Sequence, residues 1–122
     1  MQNWIYVFVG GGLGSLFRYG IGLFFSTGDT NFPVGTFISN FMACFILGIL
    51  IGMQLKDNLQ TNYALLFMTG FCGGFSTFST FSAESLNLFQ NQQFALGLSY
   101  IGGSILLGLA AVYFGIKLYS TF

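Results

Sequence analysis

The stretch Gly70-Phe71-Cys72-Gly73-Gly74-Phe75-Ser76-Thr77-Phe78-Ser79-Thr80-Phe81-Ser82 sits in the middle of an apolar run covering residues 61–89, long enough to cross about 30 Å of hydrocarbon as a helix. Its glycines invite that helix to unwind at mid-membrane. Unwound backbone is tolerated there only where it is buried in protein or lines a cavity. Gly73 lies about 18 Å along the helix from Thr61, close to the bilayer midplane, so carbonyls freed there can bind a small cation. Beyond the glycines the pattern repeats every three residues. Phe75, Phe78 and Phe81 form one stripe, and Ser76, Ser79 and Ser82 form another beside it. Two such rows are costly against lipid and favour a protein interior or a wet pathway. Ring edges are positive, so they and the hydroxyl donors together make a weakly attractive lining for a dehydrating anion.

The rest of the chain agrees with a membrane setting. Of 122 residues, 3 are Lys or Arg and 3 are Asp or Glu, so 5% are charged, where a soluble domain carries about 25%. Hydrophobic residues make up 54% and there are 18 glycines, as expected of helices packed closely in lipid. Three further apolar runs cover residues 4–25, 33–55 and 94–119. Polar turns separate them at residues 26–32 (with Gly28, Asp29 and Asn31), 56–60 and 90–93. Pro33 suits the first turn of a helix, where its missing N–H costs nothing. Barrel strands would alternate strictly over short segments. The expected fold is therefore an all-α membrane protein, residues 1–122 forming a single transmembrane domain of four helices with the third broken mid-membrane. The first run lacks a basic flank and is too long for a cleaved signal peptide, so it is read as the first span.

Charge excludes other classes. A formal net charge of zero with no histidine leaves no electrostatic footprint for nucleic acid. An even number of spans puts both termini and the second loop on one side, with Lys56 and Lys117, against Arg18 on the other. That is a weak positive-inside bias and admits both orientations. Cys44 and Cys72 lie far apart inside apolar runs and read as small buried side chains rather than a disulfide or a metal site.

Small residues recur four apart at Gly10 and Gly14, Gly48 and Gly52, and Gly70 and Gly74, which lets helix backbones approach closely. Asn40 and Phe81 are about 10 Å and 13 Å from the same membrane surface, so they can face each other. Asn40 reads either as interhelical glue or as part of an ion site. Arg18 and Glu84 fall at similar depth and read as an ion pair, a snorkelling arginine or an anion-attracting vestibule. A four-helix bundle fills its own core, so a conduit runs at a contact between subunits, and a homodimer is expected.

Gly11-Gly12-Leu13-Gly14-Ser15-Leu16-Phe17-Arg18-Tyr19, Gly35-Thr36-Phe37-Ile38-Ser39-Asn40 with Cys44-Phe45, and above all residues 70–81 closely resemble the Fluc (CrcB) fluoride channels of bacteria, along essentially the whole chain. The resemblance implies a multi-pass protein of the bacterial cell (inner) membrane, an antiparallel dual-topology homodimer with two fluoride pores, and a central Na⁺ at the dimer interface. It assigns that Na⁺ to the backbone carbonyls of Gly73 and Ser76. It assigns the fluoride pathway to Phe78 and Phe81, Asn40, the polar track of Ser79 and Thr80, and Tyr100, whose surrounding motif Leu98-Ser99-Tyr100 is weaker. Three departures stand out: Ser15 for a usual alanine, Ala43 for a usual glycine, and Ser76 for a usual threonine. The first two touch packing; the third keeps both hydroxyl and carbonyl.

The reading is thus a channel, not an enzyme, passing fluoride passively, since nothing resembles an ATP motif. A small proton-coupled multidrug exporter is the alternative; it needs a deep acidic residue, and Glu84 is the sole candidate. A structural subunit of a larger complex would explain the glycines but gives the Phe and hydroxyl stripes no task.

Overall fold

Four long apolar helices, each able to cross a membrane, cover almost all of residues 2–26 and 31–121, which the computed structural model describes. Helix α1 spans Gln2–Phe24 and α2 spans Val34–Leu55. The third span is in two pieces. Its first half, α3 (residues 61–75), opens as one α turn over Thr61–Tyr63. It winds wider as a π-helix over Ala64–Cys72 and closes on an α turn over Gly73–Phe75. Its second half, α4, is Phe78–Gln90, and α5 is Phe94–Thr121. The expected spans and the break are present, and Pro33 stands one residue before α2 as its N-cap. The expected turn at Gly28 and Asp29 lies outside the described residues.

Two glycine-lined interfaces hold the helices. A Cβ on Gly10 would sit 2.0 Å from the Leu66 carbonyl oxygen, and one on Gly74 would sit 2.3 Å from that of Gly11, so α1 and α3 touch backbone to backbone. The α2–α5 contact is built the same way around Gly48 and Gly115. Lipid offers helices no hydrophobic drive to associate, so such close van der Waals contact is what holds them.

Two tight turns join the halves of the bundle. At the end of α2 the Asn58 and Asp57 amides return to the Met53 and Gln54 carbonyls; at the end of α4 those of Gln93 and Gln92 return to Leu88 and Phe89. Asp57 and Gln92 take the left-handed conformation such helix ends require, with φ 55 and 61. Lys56 Nζ donates to the Ser120 carbonyl at 3.2 Å, and Asn58 Nδ2 donates to Tyr119 Oη at 2.9 Å. Lys56 and the end of α5 that bears Lys117 therefore share one end of the bundle.

Much of the apolar surface faces outward, Phe8 at 82% exposed and Phe78 at 79% among it. On α1 this is the surface lipid requires. On α4 it leaves Phe78 largely uncovered at the level of the break.

Candidate functional site

The third span breaks at Ser76 (φ −83, ψ 158) and Thr77 (φ −150, ψ 119), two extended residues at the midpoint of the 30-residue run Thr61–Gln90. Gly73 and Gly74 themselves remain helical, so the chain opens just beyond the glycines. Phe75 consequently belongs to α3, where it is 1% exposed and packs on Phe71 and Phe17 of α1. The three-phenylalanine stripe expected beyond the glycines reduces to Phe78 and Phe81, because the break falls after Phe75.

Backbone opened inside a membrane must find other partners. The Thr77 N–H donates to Asn40 Oδ1 at 2.7 Å, and Asn40 Nδ2 donates back to the Thr77 carbonyl at 3.3 Å. Thr77 Oγ1 accepts from the Thr80 N–H at 3.2 Å and so caps α4. Ser76 Oγ donates to the Cys72 carbonyl at 2.8 Å, and Arg18 Nε donates to that of Gly74 at 3.0 Å. The Gly73 and Ser76 carbonyls are treated differently. Thr77 and Thr80 carry the amides four residues on that a helix would supply to them, and both amides point elsewhere.

A cavity of about 290 Å³ opens beside the break, lined by Asn40, Ser76, Thr77, Phe78, Phe81 and Ser104 among others, none of them charged. The phenylalanine rings have centroids 5.9 Å apart, and Phe81 lies 5.1 Å from the ring of Tyr100. Tyr100 is wholly buried, and Ser104 Oγ has no hydrogen-bond partner among the described residues. Ser104 was missed by the sequence reading. It follows Tyr100 by four residues, hence shares its helix face, and that spacing was the available signal.

The remaining candidates lie on other sides of α4. Thr80 lines a second cavity, about 470 Å³, with Ser15, Arg18, Tyr19, Thr36 and Thr77. Ser79 is exposed, its Oγ 3.3 Å from Thr77 Oγ1. Glu84 Oε1 accepts from Thr36 Oγ1, and Arg18 is engaged at Gly74, so no ion pair joins Arg18 to Glu84 among the described residues.

Comparison with known proteins bears on what this arrangement is. The family described as CrcB-like protein, Camphor Resistance (CrcB), matches residues 5–116. The chain belongs to the CrcB (FluC) family. Curated FluC relatives cover it nearly end to end. A fluoride-specific ion channel of Phocaeicola vulgatus is 38% identical over 117 residues, 95% of this chain and 97% of its own length. That of Azobacteroides pseudotrichonymphae is 43% identical over 109 residues, 88% and 87% of the two chains. FluC 1 of Staphylococcus aureus is 39% identical over 120 residues, 96% of each. FluC proteins are channels rather than enzymes, and with four membrane-spanning helices this one is a multi-pass membrane protein.

Proposed function

We propose that the chain is a fluoride-selective channel that lets fluoride leave the cytoplasm down its electrochemical gradient, working as an antiparallel, dual-topology homodimer in the bacterial cell membrane. The observation that carries the reading is the uncharged cavity where Asn40, Phe78, Phe81 and Ser104 meet. A small anion there loses water and meets ring edges and amide or hydroxyl donors. The unpartnered Ser104 hydroxyl supplies one of these. A fixed positive charge would hold the ion. Dipoles and ring edges bind it weakly enough to let it go, as conduction requires.

A second copy completes this wall. Phe78 lines the cavity yet is 79% exposed in the single chain, and a pathway open sideways to lipid would not keep a dehydrated anion. Arg18, in the adjoining polar cavity with Thr77 and Thr80, draws anions toward the mouth, and the exposed Ser79, its Oγ beside Thr77 Oγ1, forms the polar track with Thr80.

The Gly73 and Ser76 carbonyls fit a Na⁺ ion. Hard oxygen donors suit such a cation, both carbonyls have lost their helical donors, and Gly73 has open space where a side chain would stand. The ion would satisfy those carbonyls at the subunit contact, a structural part.

Purified protein in liposomes tests the reading. Fluoride efflux with negligible chloride flux supports it; drug transport driven by a pH gradient, with Glu84 as proton carrier, would replace it with the multidrug exporter.

A further inference from the structure

The sequence sets Cys44 and Cys72 far apart, but folding brings them to one small cavity of about 150 Å³ between α2 and α3. Cys44 lies on one wall, and Cys72 and Met68 lie on the other. Both thiols are free. Three sulfur-bearing side chains thus line one small cavity at the break, together with Gly73 and Ser76, whose carbonyls were assigned above to Na⁺. Gly108 of α5 stands beside Cys44, where a Cβ would be in ordinary contact with its Sγ at 3.5 Å. Cys44 and Ser76 also line the neighbouring 290 Å³ cavity, which makes the two spaces contiguous.

We propose that Cys44, Cys72 and Met68 form a site for a soft, thiophilic metal ion, and that its occupation stops ion flow through the adjoining cavity. Thiolate and thioether sulfurs select soft cations over hard ones. Charge balance favours a divalent ion that takes two thiolates: mercuric chloride enters neutral and reacts with two thiols to give a neutral bis-thiolate, two protons and two chloride ions. No net charge is left in the apolar interior, where an unpaired one would be costly. The bridge would tie α2 to the last turn of α3, holding Asn40 and the break against any adjustment that passage requires. The blocking half of the proposal rests on the channel reading above; the binding half does not.

The test uses the full-length protein, in detergent and in liposomes, with mercuric chloride as probe. In detergent the expected result is one mercury per chain and loss of both thiols to maleimide labelling after denaturation, with Cys44→Ala and Cys72→Ala each failing to form the two-thiol adduct. One mercury on each thiol, or mercury linking two chains, would overturn the site. In liposomes, mercury is expected to abolish fluoride efflux and excess dithiothreitol to restore it. Each alanine variant, compared with its own untreated rate, is expected to keep its flux. Should Cys72→Ala not fold, the half-buried Cys44 carries the same comparison. Binding without loss of flux would overturn the blocking half. Absence of flux before any mercury is added would refute the channel reading, while the thiol count still decides the site.

Discussion

Asn40 on α2 holds both backbone polar groups of Thr77, accepting from the N–H at 2.7 Å and donating to the carbonyl at 3.3 Å. One side-chain amide thereby replaces the helical hydrogen bonds that the chain gives up where the third span breaks, and still has a second N–H to offer the cavity it lines. Glue and ion site, set apart as alternatives when reading sequence, are compatible in one residue.

Asn40→Ala is expected to leave both Thr77 groups unsatisfied and to cost about 1–3 kcal/mol. Asn40→Asp keeps the acceptor, loses the donor and adds a negative charge beside the proposed anion route. Thermal unfolding in detergent should fall for both variants, with fluoride flux lost more completely in the aspartate. A wild-type melting temperature for Asn40→Ala would remove the amide from the support of the break.

Phe81 stands between Phe78 and Tyr100, with ring centroids at 5.9 and 5.1 Å. Phe81→Ile retains apolar bulk but has no positive ring edge. Fluoride efflux is expected to drop strongly while the protein elutes from a sizing column as before. Unchanged flux would take this residue out of the pathway.

How much of this could be read beforehand follows from the range of each signal. Spans and their ends depend on local hydropathy and on turn residues, so residues 33–55 and 94–119 lie within about two residues of α2 and α5. Glycines four apart on one helix report a contact without naming the partner, yet Gly10, Gly48 and Gly74 do meet neighbouring backbone. The site was harder to read because its geometry depends on other helices. Gly73 was expected to unwind, but the chain opens at Ser76 and Thr77, where Asn40 of α2 can take over the Thr77 hydrogen bonds. Arg18 reaches a carbonyl that the break leaves available, so its pairing with Glu84 could not be judged from depth alone. Once α4 starts afresh at Phe78, Thr80 turns toward Arg18 rather than Phe81, a consequence of the cap at Thr77.

Glycine contacts should discriminate between neighbours in sequence. A methyl on Gly10 would meet the Leu66 carbonyl oxygen, whereas one on Gly12 meets nothing within 4 Å. Gly10→Ala is expected to force α1 from α3 at about 1–3 kcal/mol, as overpacking generally does; Gly12→Ala should be nearly silent. Paired unfolding curves check this, and equal curves would contradict the backbone contact.

Gln92 carries a side chain in the left-handed region at φ 61. Gln92→Gly relieves that strain while loosening the unfolded chain, so a net gain of up to about 1 kcal/mol is expected. Loss of stability would mean the glutamine side chain makes a compensating contact.

The central claim is tested most directly by loading liposomes with fluoride, reconstituting the purified protein, and recording release with a fluoride electrode when a potassium ionophore sets the driving voltage. The account predicts prompt release of fluoride from wild-type vesicles, little from Phe81→Ile vesicles and negligible release of chloride from either; wild-type vesicles that retain fluoride, or that pass chloride as readily, would contradict it.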